Sequence, residues 1–244
     1  MRENYFAGQI AESYDADSTG VFSAPVIGAT VDFLAGLAGE GKALEFAIGT
    51  GRIALPLSQR GVSVAGIEFS PDMAAQLQAK PGADAIDVRI GDMISTKVDG
   101  LFRLVYLVFN TIGNLTTQDE QVDCFINAAA HLEPGGCFVI EVMVPQLRRL
   151  PPGETTHVFL FTPTRIGFDE LDVANQLGIS HHIWLGEEGP RKFSMPWRMV
   201  WPAELDLMAR LAGLRLRERW VDWGRQPFTS ESPKHVSVWE KPAG

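Results

Sequence analysis

The chain is 244 residues long, with 45% hydrophobic and 21% charged residues. That balance excludes extended disorder and suits one large α/β domain carrying a small inserted subdomain. A formal net charge of −9 disfavours a nucleic-acid partner, because phosphate backbones are held by basic side chains. No apolar stretch reaches the roughly 18 residues of a membrane span, so no membrane partner is expected.

The start, Met1-Arg2-Glu3-Asn4, has an early acid and no apolar run behind it, unlike a secretory signal. A cytoplasmic location is the expectation. Residues 1–36 read as two short helical segments ahead of the sheet, with Pro25, Val26, Ile27, Val31 and Leu34 at helical spacing and Gly36 and Gly39 as stops.

From residue 43 strand and helix patterns alternate. Residues 43–47 form a first strand that runs into Gly49-Thr50-Gly51, and a helix over 52–60 ends at Gly61. Residues 62–68 form the second strand. Ser70-Pro71-Asp72 then supplies an N-cap, a proline at the first helical position and an acid in the first turn. Third and fourth strands fall at 86–90 and 104–109. Thr117-Gln118-Asp119-Glu120 is a capping box, and Val122, Phe125, Ile126 and Ala129 behind it give a helix one apolar face. Pro134-Gly135-Gly136 turns into a fifth strand at 137–142, a near-continuous apolar run interrupted by Glu141, as in a parallel sheet buried on both faces.

The pattern changes after Pro145. Short β-like runs at 156–161 and 179–185, broken by Pro and Gly, indicate an inserted antiparallel subdomain over 147–202. A helix at 202–212 and strands at 214–221 and 235–239 close the chain. Alternation places Arg215, Arg217 and Arg219 on one strand face, where a solvated surface is expected. Cys124 and Cys137 read as small core residues of a reducing compartment, not as a disulfide or metal framework.

Five strand–helix units imply a doubly wound sheet, in which ligands bind beyond the carboxyl ends of the strands. The first such loop, Glu45-Phe46-Ala47-Ile48-Gly49-Thr50-Gly51-Arg52, has two glycines that permit a tight turn and a close approach of ligand to backbone. Glu68, at the end of the neighbouring strand, can accept both hydroxyls of a ribose. Gly91-Asp92-Met93 after the third strand offers an acid to an adenine amino group and a backbone N–H to a ring nitrogen. The polar break Phe109-Asn110-Thr111-Ile112-Gly113-Asn114 follows the fourth strand and faces the place where a transferred group would sit.

In this order, and with Leu132-Glu133-Pro134-Gly135-Gly136 before the fifth strand, these segments resemble the motifs of class I S-adenosylmethionine (SAM)-dependent methyltransferases. The resemblance covers about residues 37–146 and 203–244. It is strongest toward glycine and amino-sugar N-methyltransferases, which share an early Tyr-Asp pair, here Tyr14-Asp15, and a β-insertion after the fifth strand.

The resemblance implies a Rossmann-like α/β fold: a doubly wound seven-stranded sheet, mostly parallel with an antiparallel C-terminal hairpin, plus the inserted β subdomain. It implies SAM as cofactor, with Glu45 near the methionine moiety, Gly49 and Gly51 beneath it, and Phe46, Ala47 and Arg52 in the same motif. Glu68 would hold the ribose, Phe69 and Met73 would pack near the adenine, Asp92 and Met93 would read its edge, and Phe109 and Asn110 would lie beside the sulfonium. Ala47 departs from the strictest motif, which has glycine there.

The implied reaction is methyl transfer to a small-molecule acceptor by in-line displacement, with N-methylation favoured. Residues 1–36 are the expected lid, and Tyr14 is the candidate catalytic residue, against the alternative of a tyrosine that only anchors the segment. His181 and His182 point to opposite faces of a strand and are read as structural. All six tryptophans follow residue 183 and line an acceptor pocket, a homodimer interface or simply the packed insertion. Clustered metal ligands are absent from the sequence. Two other readings compete. Gly49-Thr50-Gly51-Arg52-Ile53-Ala54 also satisfies a nicotinamide-dinucleotide fingerprint, though no Tyr-x-x-x-Lys pair accompanies it. A non-catalytic SAM-binding protein would share every cofactor contact.

Overall fold

The computed structural model describes residues 3–16, 20–186 and 189–243; residues 1, 2, 17–19, 187, 188 and 244 of the expected N-terminal, inserted and C-terminal segments lie outside them. The chain begins with helix α1 (Gln9–Ser13), 3-10 turns at Tyr14–Ala16 and Gly20–Phe22, and helix α2 (Ala24–Ala38). Alternation follows: β1 (Ala43–Phe46), α3 (Ala54–Gln59), β2 (Val64–Glu68), α4 (Pro71–Gln78), β3 (Asp87–Ile90), β4 (Phe102–Leu107), α5 (Gln118–His131) and β5 (Leu132–Met143). Four strands, β6 (Thr156–Phe161), β7 (Arg165–Asp172), β8 (Leu177–Gly186) and β9 (Gly189–Arg198), make a separate antiparallel sheet. Helix α6 (Pro202–Leu211) and strands β10 (Arg215–Trp220) and β11 (Lys234–Glu240) complete the fold.

The main sheet has seven strands in the order β10-β11-β5-β4-β1-β2-β3. The first five strands pair in parallel, and β11 runs antiparallel to both β5 and β10. The expected architecture is therefore present. Strand β1 lies inside the sheet between β4 and β2 and is buried along its whole length. Period-two alternation sends Leu104 and Tyr106 of β4 into one core with Leu34 and Leu57, and Val105 and Leu107 into the other with Phe125 and Leu205. Truncating a leucine in either core costs about 2–5 kcal/mol.

Two caps act as the sequence implied. The Ser70 side chain accepts the N–H of Met73, and Thr117 and Glu120 form a reciprocal capping box.

Three details differ from expectation. Strand β5 begins at Leu132, because Pro134-Gly135-Gly136 is a distorted stretch of strand and not a free turn: a Cβ on Gly136 would lie 3.0 Å from the Phe102 carbonyl oxygen. Only a glycine lets the two backbones come that close. Helix α3 starts two residues late, after the left-handed Gly51. In β10 a bulge between Leu216 and Glu218 breaks the alternation. Arg217 there pairs with Glu240, while Arg219 reaches Ser237 and the Asp206 carboxylate, so these side chains are engaged and not simply solvated.

Helix α2 is part of the core, with Val31 and Leu34 buried. What remains of the described N-terminal segment, residues 3–16 and 20–22, lies at the carboxyl end of the sheet. Phe6 accepts from Ser70 through its carbonyl, and the Gly8 N–H donates to Asp72.

Candidate active site

Beyond the tips of β1, β2 and β3 lies a cavity of about 490 Å³, within the range of small-ligand sites. The turn after β1 forms its floor. Ala47, Gly49 and Gly51 have φ of 51°, 58° and 75°, so the chain curls back on itself through three left-handed residues. Room is scarce as well as φ: a Cβ on Gly51 would sit 2.2 Å from Leu77 Cδ1, and one on Gly49 3.3 Å from Met73 Cε. Ala47 occupies a left-handed position that glycine would take without strain, which costs about 1–2 kcal/mol.

Glu68 closes the turn. Its carboxylate is 6% exposed and accepts the Gly49 N–H at 2.7 Å and the Ser70 N–H at 2.8 Å. Burial raises its pKa, while these backbone donors work in the opposite direction. With Phe69 as a further backbone donor, the carboxylate still has acceptor capacity left for a ligand hydroxyl. Glu68, Phe69, Met73, Gly91, Asp92 and Met93 line one part of the cavity, and Asp92 caps its own turn by accepting the Ile94 N–H.

Glu45 lies beneath the floor and off the lining. It is 3% exposed and accepts a hydrogen bond from the Tyr106 hydroxyl at 2.9 Å. Burial pushes its pKa up to about 8, against the pull of Tyr106 and Arg52. The Arg52 guanidinium lies 3.4 Å from the Phe109 ring centre and 4.2 Å from that of Phe22, a cation held between two π faces.

Tyr14 lines the cavity from the N-terminal segment. It sits in an edge-to-face row, 6.1 Å from Phe6 and 5.7 Å from Phe22, and Phe22 is 5.7 Å from Phe109. Burial raises its pKa, so the hydroxyl stays protonated.

Of the residues singled out in the sequence, Tyr14, Ala47, Gly49, Glu68, Phe69, Met73, Asp92 and Met93 come together on the lining. Glu45, Phe46, Gly51, Arg52, Phe109 and Asn110 stand behind it. Asn110 instead braces the tip of β4 against β5: its Oδ1 accepts the Met143 N–H at 2.9 Å and its own N–H donates to the Glu141 carbonyl. The lining also includes residues the sequence did not single out as site residues, among them Glu3, Asn4, Asn114, Glu120, Met195 and Pro196. Asn114 belonged to the polar break after the fourth strand and Glu120 to the capping box. Nothing local marks Met195 and Pro196, which reach the cavity from β9 of the insertion.

A buried polar cluster holds that far side in place. Gln121 donates to the carbonyls of Ile112 and Leu115 and accepts from Arg198 at 2.6 Å, and Arg198 pairs with Glu204 at 2.6 Å. It joins α5, β9 and α6 to the loop after β4.

This sheet order, with a cavity over the first three strand tips, a glycine-containing turn and an acid at the end of β2, defines a class I SAM-dependent methyltransferase. Residues 43–136 match the family model described as a methyltransferase domain. The chain is 36% identical to the CcbJ methyltransferase from Streptomyces caelestis over 100% of both chains, with a TM-score of 0.89. The protein belongs to this family, which sets the nicotinamide reading aside. It is 32% identical, over 40% of each chain, to the dTDP-3-amino-3,4,6-trideoxy-alpha-D-glucopyranose N,N-dimethyltransferase of Streptomyces venezuelae. The SAM-bound CalS10, an amino pentose methyltransferase from Micromonospora echinaspora involved in calicheamicin biosynthesis, shares its fold at a TM-score of 0.71 and 20% identity over 99% of this chain and 100% of that one.

The residues present fit SAM. A buried carboxylate faces the cavity beside a glycine where a Cβ would crowd Met73, with Asp92 across the same opening.

Proposed function

We propose that the protein methylates an amine nitrogen of a small-molecule acceptor, with Glu68 holding the ribose of SAM, Asp92 and Met93 its adenine, and Tyr14 covering the reacting end. The observation that carries the reading is the charge of the cavity wall. Glu3, Glu68, Asp92 and Glu120 line it, and among the described residues on the lining there is no Lys, Arg or His. Such a wall favours cations, and an amine is the acceptor class that arrives as one. The N,N-dimethyltransferase relative points the same way.

Bound SAM supplies an electrophilic methyl group on a sulfonium that departs as a neutral thioether. The chain's part is placement: the glycine turn and Glu68 fix one partner, and the N-terminal segment limits water above it. The acceptor must present a free lone pair, so its ammonium proton passes to solvent water before transfer, and Glu3 and Glu120, the lining carboxylates not assigned to the cofactor, can hold the ammonium until then. No strongly basic side chain is needed for an amine that reacts unprotonated.

The test is a panel of amines, amino sugars, phenols and carboxylates incubated with isotopically labelled SAM and read by mass spectrometry. Label is expected in amines. Transfer to hydroxyl or carboxylate acceptors alone would overturn the reading, and cofactor binding without turnover on any acceptor would favour a non-catalytic SAM-binding protein.

A further inference from the structure

The N-terminal segment is fastened directly to the turn that holds the cofactor, and the fastener is a single side chain. Asp15 follows Tyr14 in the 3-10 turn Tyr14–Ala16. Its Oδ1 accepts the hydroxyl of Thr50 at 2.8 Å. Thr50 is 2% exposed and stands between Gly49 and Gly51 in the left-handed floor of the cavity. Lys80, just beyond α4, completes the arrangement by donating to Asp15 Oδ2 at 2.5 Å and to the Thr50 carbonyl at 2.6 Å.

We propose that Asp15 is a positioning residue for the cofactor site, locking the turn that carries Tyr14 onto Thr50 so that the segment stays closed only while the glycine turn keeps its bound shape. The proposal rests on the SAM reading of the cavity.

Magnitudes separate the two contacts Asp15 makes. Its ion pair with Lys80 is between side chains 38% and 31% exposed, and exposed pairs contribute little. The bond to Thr50 is charge-assisted and ends on a buried hydroxyl, so losing the acceptor leaves that hydroxyl unpaired. The Thr50 bond is therefore the lock. Elsewhere the segment is held at its start, by Asn4 and Phe6 on Ser70 and by Gly8 on Asp72. Among the described residues Gln9 also accepts from Arg191, and without Asp15 Tyr14 itself keeps its ring contacts with Phe6 and Phe22.

The experiment follows S-adenosylhomocysteine on the full-length protein by surface plasmon resonance, which needs no acceptor. Asp15→Ala and Thr50→Val are each expected to raise the dissociation rate about tenfold, with association unchanged or faster, since the segment must move aside for entry. Asp15→Asn and Thr50→Ser retain an acceptor and a hydroxyl and are expected to restore slow release. The double variant Asp15→Ala/Thr50→Val should release no faster than either single one, because both remove the same bond. Melting temperatures measured alongside should stay within the spread of the conservative variants. Wild-type release rates in Asp15→Ala, or additive effects in the double variant, would overturn the proposal. A wild-type protein that fails to bind S-adenosylhomocysteine would instead sink the cofactor reading itself.

Discussion

The Glu68 carboxylate and the Gly49 backbone N–H are 2.7 Å apart, so the acid at the end of β2 and the turn at the end of β1 form one hydrogen-bonded unit. The acid shapes the turn before any ligand arrives. Its loss removes the turn's brace and, in the proposed pose, the ribose acceptor together.

Glu68→Ala is therefore expected to weaken SAM binding by about 1–3 kcal/mol, the range for lost charge-assisted hydrogen bonds. Glu68→Gln, which keeps one acceptor oxygen, should lose less. Isothermal titration calorimetry distinguishes them, and unchanged affinity in the alanine variant would remove Glu68 from the cofactor site.

Tyr14→Phe keeps the edge-to-face row with Phe6 and Phe22 and deletes only the hydroxyl. Turnover is expected to fall more than cofactor affinity. Equal turnover in the two proteins would return Tyr14 to a packing role.

Ala47 and Gly51 call for opposite substitutions. Ala47 sits at φ 51°, and Ala47→Gly relieves a strain of about 1–2 kcal/mol, partly offset by the added freedom of glycine when unfolded. Gly51→Ala meets Leu77 Cδ1 at 2.2 Å from a left-handed backbone, and a loss of about 1–3 kcal/mol or more is expected. Urea denaturation gives both values. A Gly51→Ala protein as stable as wild type would contradict the packing described.

Glu45 makes stability depend on pH. Its pKa is raised from 4.5 to about 8 in the folded chain. Between those values the folded state holds a proton that the unfolded state has released. Its stabilising effect is complete below about 4.5 and is lost as pH rises through about 8. Compared with Glu45→Gln, the wild type should lose stability as pH rises from about 4.5 to about 8. Parallel curves for the two proteins would mean that Glu45 is ionised in the fold.

Much of the fold was legible because its signals are local. Capping residues, the proline at the start of α4 and the near-continuous apolar run of β5 specify their elements whatever their surroundings. The misread places are those where distant backbone intervened. Phe102 meets Gly136 and draws Pro134-Gly135-Gly136 into a strand, and the bulge in β10 redirects Arg217 and Arg219 to partners across the sheet.

The site divides the same way. Gly49, Glu68 and Asp92 were readable because the turn after a parallel strand always lies at the carboxyl edge of the sheet, so order along the chain becomes order along the crevice. Phe109 and Asn110 occupy such a turn too, yet their side chains pack against Phe22, Arg52 and Met143. Side-chain direction at two left-handed residues in succession depends on neighbours that spacing does not reveal. Met195, Pro196 and the bond from Asp15 to Thr50 needed the tertiary structure outright, since they join segments with no shared periodicity. Motif order by itself determined what kind of molecule is held, because backbone geometry at strand tips is set locally. Only the folded chain decided what else lines the cavity, because Glu3, Asn4 and Tyr14 of the N-terminal segment and Met195 and Pro196 of the insertion fall together there through packing alone.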